Sequence, residues 1–247
     1  MKTLAIINQK GGVGKSTTAL AIGAALTLKG NHILYVDLDA QGNLSYTLGA
    51  DTTQHSTLRA LQRPDTAAAE IQHTMQGDVL ASSPALAGAD TMLTEVGKEY
   101  RLKEALATVR WDYDYCIIDT PPALSILTVN ALTACSGVII PAQADIYSLQ
   151  GISQLNNTIQ TVKKYCNPEL QILGIVLNRF SSRSIISREV AEMIDSTAAQ
   201  LNTKLYKTKI RECTALKEAQ AMQKNIFEYA PRSNAAADYK ALIEEII

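Results

Sequence analysis

The chain has 247 residues, of which 47% are hydrophobic and only 5% aromatic, so aliphatic side chains must fill its core. Its formal net charge of −1 excludes a global field that would draw it to DNA or to an acidic membrane. The four cysteines form no C-x-x-C pair, so neither zinc nor a dithiol redox pair is indicated. No apolar run approaches the ~20 residues of a membrane span. A strand pattern starts within three residues of the N-terminus, which leaves no room for a signal peptide. We therefore expect a cytoplasmic protein without a stable membrane anchor.

The first 29 residues predict a strand, a glycine-rich loop and a helix. The apolar run 4–7 is typical of a buried strand, and an uninterrupted helical pattern runs from Ser16 to Lys29. The loop glycines are Gly11, Gly12 and Gly14. Such a loop lets backbone amides close around phosphate oxygens at the positive end of a helix. Lys15 would then supply a charge to the β/γ phosphates, and the Ser16 hydroxyl would suit Mg²⁺.

The match to the phosphate-loop pattern G-x-x-x-x-G-K-[ST] is imperfect, because Gln9 stands where the first glycine belongs. A second lysine, Lys10, instead precedes Lys15 by five residues. Residues 8–18 thereby resemble the deviant Walker A loop of the ParA/Soj partition ATPases and of relatives such as MinD. The resemblance implies ATP and Mg²⁺ as cofactors, and an early lysine that reaches across a homodimer to the partner's nucleotide. The implied nucleotide-binding loop is Lys10, Gly11, Gly12, Val13, Gly14, Lys15, Ser16 and Thr17. The alternative is a glycine turn with two solvated lysines.

Two aspartates follow the second predicted strand, His32–Val36. Asp37 and Asp39 are two residues apart, so an extended chain presents them on one face. The stretch 37–43 matches the family motif D-x-D-x-Q-G-N at every defined position. The resemblance implies that Asp39 positions the attacking water and the water shell of the metal, and is catalytic together with Lys10 and Lys15. The alternative is an acid that binds a ribose, as in NAD enzymes, but no G-x-G-x-x-G accompanies it.

Two further strands end in polar side chains. The run 116–118 ends at Asp119 in a Walker B pattern, so the predicted magnesium site is Ser16, Asp39 and Asp119. The D-T-P-P stretch 119–122 also matches the family, and its prolines would shape a switch loop. The predicted strand Gln171–Leu177 ends at Asn178, which the resemblance places against the adenine. The alternative for Asn178 is a turn-forming residue.

The remaining patterns predict alternating helices and strands. Predicted helices cover 56–62, 66–75, a stretch from Pro84, 98–110, 148–164, 184–201, 215–220 and the C-terminus; predicted strands cover 78–82, 137–141 and 204–210. Six or seven strands alternating with helices indicate an α/β fold, a doubly wound, mostly parallel sheet flanked by helices, as in P-loop NTPases. No linker, repeat or low-complexity tract is visible, so we expect a single domain over 1–247.

The resemblance covers essentially residues 2–245 and fits the short ParA type, without an N-terminal helix-turn-helix. It implies a slow ATPase of DNA partition whose ATP-bound dimer binds DNA non-specifically on the nucleoid and is released when a ParB-like partner stimulates hydrolysis. Residues 163–224 carry 11 lysines and arginines against 6 acidic residues, which favours a basic face. The candidate DNA contacts are Arg183, Arg188, Lys204, Lys207, Lys209, Arg211 and Lys217. An ordinary solvated surface is the alternative.

Three other functions remain open. A MinD-like membrane-cycling ATPase needs a basic amphipathic C-terminal helix, but the tail 239–247 is acidic near its end. A small-molecule ligase such as dethiobiotin synthetase, or an iron–sulfur reductase subunit, would share the fold. No substrate site for the former is visible, and Cys135 and Cys166 do not follow the strands that a cluster-binding subunit would need.

Overall fold

The computed structural model describes residues 1–53 and 57–247. Within these ranges a seven-stranded sheet runs through the molecule in the order β3-β4-β2-β5-β1-β6-β7. Its strands are β1 (Lys2–Ile6), β2 (Ile33–Asp37), β3 (Ile71–Thr74), β4 (Gly77–Leu80), β5 (Tyr115–Asp119), β6 (Gly137–Ala142) and β7 (Gln171–Leu177). Every pairing is parallel except that of β3 with β4, which is antiparallel. The predicted doubly wound, mostly parallel α/β sheet is confirmed.

Helices cover both faces of the sheet. In the described ranges they are α1 (Lys15–Leu28), α2 (Asn43–Leu48), α3 (Thr57–Gln62), α4 (Ala67–Glu70), α5 (Ala89–Met92), α6 (Arg101–Val109), α7 (Ile126–Ala134), α8 (Ile146–Tyr165), α9 (Ile185–Gln200), α10 (Thr214–Ala221), α11 (Ile226–Tyr229) and α12 (Asn234–Ile246). One apolar core lies beneath α6 to α9, and a second lies beneath α1, α11 and α12. A search of the described residues finds no helix with the length and apolarity needed to cross a membrane.

The strand register brings the predicted polar residues together at the carboxyl ends of the strands. Asp37 at the end of β2 and Ile6 at the end of β1 are both register partners of Asp119 on β5. The loop after β1 therefore opens beside two aspartates that are far away in sequence. Carboxyl ends of neighbouring parallel strands are where open α/β sheets bind ligands.

The predicted helix over 66–75 is wrong in its second half. Only Ala67–Glu70 is helical, and Ile71–Thr74 forms β3 in a hairpin with β4. The alanine run has high helix propensity, but Gly77 at φ 130° turns the chain back and pairing with β4 decides the outcome. The predicted helix over 56–62 is present as Thr57–Gln62; its predicted cap, Ser56, lies outside the described residues.

The predicted strand over 204–210 is also wrong. This segment runs beside β7 but pairs with it through a single isolated bridge in the described residues, Ile175 with Leu205, rather than a ladder. The backbone amides of Lys207 and Thr208 donate instead to the carboxylate of Glu245 on α12. Because these amides are already bonded, they are not available to a neighbouring strand.

Gly23 on α1 provides a test of how closely this helix packs on the sheet. A methyl group at position 23 would overlap the hydroxyl and ring of buried Tyr35 on β2. Helix propensity alone predicts that Gly23→Ala stabilises the protein by about 1 kcal/mol. We expect instead that it lowers the free energy of unfolding in urea by about 1–3 kcal/mol, because the core is overpacked.

The same substitution in a Tyr35→Leu background is the matched control. The shorter side chain leaves room for the methyl group, so the cost of Gly23→Ala should be smaller there. Stabilisation by Gly23→Ala in the parent chain would contradict the observed packing.

Candidate nucleotide and magnesium site

The loop between β1 and α1 is shaped by glycines. Gly12 and Gly14 have φ values of 74° and 90°, in the left-handed region that other residues avoid. A side chain at Gly14 would also lie 2.8 Å from Nδ2 of Asn178. The loop borders a cavity of about 540 Å³ that is also lined by Lys15, Ser16 and Asp39. Loop amides at a helix N-terminus beside such a cavity are suited to bind an anion.

Side chains hold the loop by its carbonyls, and two of them come from distant parts of the chain. Gln143, just after β6, donates from Nε2 to the carbonyl of Gly12 at 3.2 Å. Asn178, just after β7, donates from Nδ2 to the carbonyl of Val13 at 2.8 Å. The ammonium of Lys15 donates to the carbonyl of Lys10 at 3.2 Å. These bonds fix the loop in one conformation.

Asp37 has a structural role that its sequence motif does not show. The side chain is fully buried, and its carboxylate accepts from the amide of Asp39 and from both the amide and the hydroxyl of Ser45. Burial raises the pKa of Asp37 to about 6, while these hydrogen bonds act in the opposite direction. Asp37 thus fixes the turn that carries Asp39 to the cavity.

Asp119 is fully buried with little to offset its charge. Neither carboxylate oxygen has a hydrogen-bond partner among the residues described. Burial and the adjacent Asp37 raise its pKa well above the usual range, while the Ser16 hydroxyl and the charge of Lys15 act against them. A buried carboxylate with two free oxygens is costly unless a cation binds it.

These residues fit Mg²⁺, which prefers carboxylate and hydroxyl oxygens and keeps several waters or phosphate oxygens. Asp119 offers the free carboxylate, and Ser16 and Asp39 line the adjacent cavity. No group of three or more His, Cys, Asp or Glu able to hold a metal occurs in the described part of the chain. A magnesium ion here would therefore depend on water and on a bound phosphate for most of its ligands.

The two lysines of the loop have different surroundings. Lys15 is 7% exposed; burial lowers its pKa, and the charges of Asp119 and Asp39 oppose this. Lys10 is turned away from the cavity, and its ammonium lies 2.5 Å from the carboxylate of Asp145. Asp145 also caps α8 by accepting from the amide of Ser148. In a single chain, Lys10 therefore pairs with the start of α8.

A second, smaller cavity of about 60 Å³ adjoins the first beside Asn178. Its apolar lining includes Val13, Leu216 and Tyr239. Besides bonding the loop, Nδ2 of Asn178 donates to the hydroxyl of Thr18, and Oδ1 has no partner in the described ranges. This narrow, partly apolar slot is therefore an extension of the phosphate cavity.

The seven basic residues predicted to contact DNA have different local surroundings. Arg211 forms a two-pronged ion pair with Asp238, and Lys217 lines the small cavity. Lys204 and Lys209 lie over the rings of Tyr206 and Phe180. The others are placed as follows: Lys207 beside Glu245, and Arg183 and Arg188 exposed around the first turn of α9.

Sequence reasoning missed several residues that shape the site, namely Asp145, Gln143 and Gln220. Gln143 and Asp145 follow the end of β6, so polar residues after that strand were an available signal. Gln220 on α10 donates from Nε2 to the hydroxyl of Thr17 at 2.7 Å. No local pattern in the sequence indicates that contact.

The sheet order, the glycine loop and the two aspartates define a P-loop nucleotide-binding protein of the α/β class. The family model described as AAA domain matches residues 1–172. Sporulation initiation inhibitor protein Soj of Bacillus subtilis is 40% identical over 250 residues, covering 99% of this chain and 98% of that protein. Chromosome partitioning protein ParA of Caulobacter vibrioides is 35% identical, covering 100% of this chain and 94% of its own length.

A solved structure extends the comparison. It is described as cobyrinic acid a,c-diamide synthase from Mycobacterium smegmatis with bound ATP analog and magnesium. It superimposes with a TM-score of 0.83 at 34% identity, covering 99% of this chain and 93% of that chain. Together, these matches show that the chain belongs to the ParA/Soj family of ATPases.

Asp119→Asn tests whether the buried carboxylate is held for a cation. In EDTA, we expect the substitution to raise the free energy of unfolding at pH 8 by about 1–3 kcal/mol, because an unpaired buried charge is removed. The raised pKa means that the folded parent binds its proton more tightly than the unfolded chain. Below about pH 4 the Asp119 carboxyl is protonated in both states, so its charge does not destabilise the folded parent. As the pH rises this destabilisation grows, and the increase in the free energy of unfolding caused by Asp119→Asn should grow with it.

Urea unfolding across this pH range, and calorimetric titration of nucleotide with and without Mg²⁺, would measure both effects. Asp119→Asn should abolish the magnesium-dependent part of nucleotide affinity. The exposed Asp112→Asn is the charge-matched control and should change neither. A variant that is less stable than the parent at pH 8 in EDTA would contradict the argument.

Proposed function

We propose that this chain is an ATPase of DNA partition that dimerises when it binds ATP and separates after hydrolysis. The observation that carries the proposal is the position of Lys10, at the mouth of the phosphate loop but paired with Asp145 outside the cavity. Similarity to Soj and ParA over the whole chain supports the same function.

In this proposal the described residues divide the work of phosphoryl transfer. The loop amides and Lys15 bind the β/γ phosphates, while Ser16, Asp39 and Asp119 hold Mg²⁺. When bound, the ion supplies positive charge against the phosphate oxygens. Asp39 orients the attacking water, since its backbone is fixed by Asp37 and by the Ser82 hydroxyl. Asn178 and the narrow slot beside it receive the adenine.

Lys10 would complete the site of a second copy. Two chains that face each other across their phosphate loops would each present Lys10 to the partner's nucleotide. Such a two-fold arrangement makes ATP part of the interface, so hydrolysis would release the dimer.

Mixing two inactive variants tests this arrangement directly. Lys10→Ala and Asp39→Ala should each lose ATP hydrolysis, because each lacks one group that every site needs. In a mixed dimer, the site on the Lys10→Ala copy keeps its own Lys15 and Asp39 and receives Lys10 from the other copy. When the two variants are mixed in equal amounts, about half of the dimers are mixed, and each mixed dimer has one complete site of its two. Mixing should thus restore about a quarter of the parental rate per chain.

Phosphate release measures the rate, and native mass spectrometry confirms that mixed dimers form. Lys15→Ala mixed with Asp39→Ala is the control and should stay inactive, because no site then has both groups in one chain. Mixed dimers of the first pair that form but do not hydrolyse ATP would overturn the exchange of Lys10. Full activity of Lys10→Ala alone would do the same.

DNA binding would use the exposed cations around the start of α9. Arg183 and Arg188 have no ion pair among the described contacts, whereas Arg211 is neutralised by Asp238. Dimerisation would double this basic surface. Binding through phosphates is independent of sequence and falls with salt.

Replacing both Arg183 and Arg188 with alanine should weaken binding to random-sequence duplex DNA in ATP. Each chain would lose about two phosphate contacts, which also flattens the salt dependence of the affinity. The charge-matched control replaces Lys163 and Lys164 at the end of α8, which precedes the amino end of β7, whereas α9 follows its carboxyl end. Fluorescence anisotropy between 50 and 200 mM salt would measure both; equal losses in the two double variants would contradict this placement.

The MinD-like alternative finds no support in the C-terminal helix. Residues of α12, among them Leu242 and Ile243, are buried against α1 and β-strands of the sheet. The acidic end of the helix is bonded to the body of the protein, since Glu244 pairs with Lys29. A surface helix that inserts into a membrane must instead have its apolar face free.

A further inference from the structure

Gln220 is placed where the two cavities of the nucleotide site meet. It lies on α10, and its Nε2 donates to the hydroxyl of Thr17, the third residue of α1, at 2.7 Å. Both residues line the phosphate cavity and the narrow slot beside Asn178. In a nucleotide that spans both cavities, the part between the base and the β-phosphate would lie beside the contact of Gln220 with Thr17.

The direction of the hydrogen bond determines what Thr17 can offer. The amide nitrogen of Gln220 can only donate, so the Thr17 oxygen accepts and its proton remains available for another acceptor. A hydroxyl that accepts one hydrogen bond becomes a stronger donor in a second. Thr17 also stands in the first turn of α1, where the helix dipole favours an anion. The acceptor with the right chemistry is an oxygen of the α-phosphate.

We propose that Gln220 is a positioning residue that directs the Thr17 hydroxyl to the α-phosphate of the bound nucleotide. The inference depends on the proposed function, because it assumes that the site binds a nucleoside phosphate. It also means that α10, a helix far from the phosphate loop in sequence, would take part in nucleotide binding by that loop.

Two substitutions separate this role from simple packing. Gln220→Glu keeps the size of the side chain but can only accept from Thr17, so the hydroxyl proton would turn away from the phosphate. A contact that merely ties α10 to α1 would survive this change. We expect Gln220→Ala and Gln220→Glu each to weaken ADP binding by about 10- to 150-fold, the effect of one lost hydrogen bond to a charged group.

Gln223→Asn is the matched control. Gln223 also bonds from the end of α10 to the body of the protein, donating to the Tyr46 carbonyl at 2.9 Å, and its left-handed backbone (φ 52°) tolerates asparagine. This variant should bind ADP as the parent does.

A Thr17→Val background tests the route of the effect. There the hydroxyl is absent, so Gln220→Ala should cause no further loss of ADP affinity. Calorimetric titration with ADP, and thermal unfolding of the nucleotide-free variants, are the measurements. An equal loss in the parent and in the Thr17→Val background would overturn the proposal, as would parental affinity in Gln220→Glu.

The same titrations distinguish failure of the inference from failure of the proposed function. If the parent chain binds neither ADP nor ATP, the proposed function itself is wrong. If the parent binds ADP and the Gln220 variants bind it equally well, only the role of Gln220 is wrong.

Discussion

The site depends on a constraint that the phosphate loop cannot satisfy by itself. A loop that turns its amides towards an anion turns carbonyls outward, and these need hydrogen bonds of their own. Gln143 and Asn178 supply them from the ends of β6 and β7, which flank β1 on one side of the sheet. The parallel sheet therefore does more than carry the loop, because its neighbouring strands end in the donors that keep the loop open.

The other side of the loop faces two carboxylates whose burial opposes folding. Asp37 recovers part of this cost through Ser45 and Asp39, whereas Asp119 has only the Ser16 hydroxyl and the charge of Lys15 to act against its burial. A cation that binds only the folded protein stabilises it by mass action. The cost of burying Asp119 is thus the counterpart of metal affinity: a carboxylate already satisfied by the protein would have less to gain from magnesium.

Local patterns predicted most of the scaffold. The bounds of β7 agree residue for residue, and α6 lies within its predicted stretch, because both segments have clear apolar periodicity. The errors occurred where distant contacts outweigh propensity, as at β3, which pairs with β4 after an alanine-rich start. In the site, the motif residues of the loop and of β2 and β5 were predictable, since each follows a strand. The contacts of Asp145 and Gln220 were not predictable, even though Asp145 follows the end of a strand, because their partners are 135 and 203 residues away in sequence.

The pairing of Lys10 with Asp145 shows how such a distant contact can serve a transient state. Both side chains are about one-third exposed, so their attraction is screened by water and worth at most about 1 kcal/mol. That is enough to orient the lysine in a single chain, but too little to compete with the several negative charges of a triphosphate. Asp145 would also remain satisfied after Lys10 leaves, since it still caps α8 through Ser148. In the proposed exchange, Asp145 orients Lys10 in the single chain. When Lys10 moves to the partner's nucleotide, it leaves no unpaired buried charge behind.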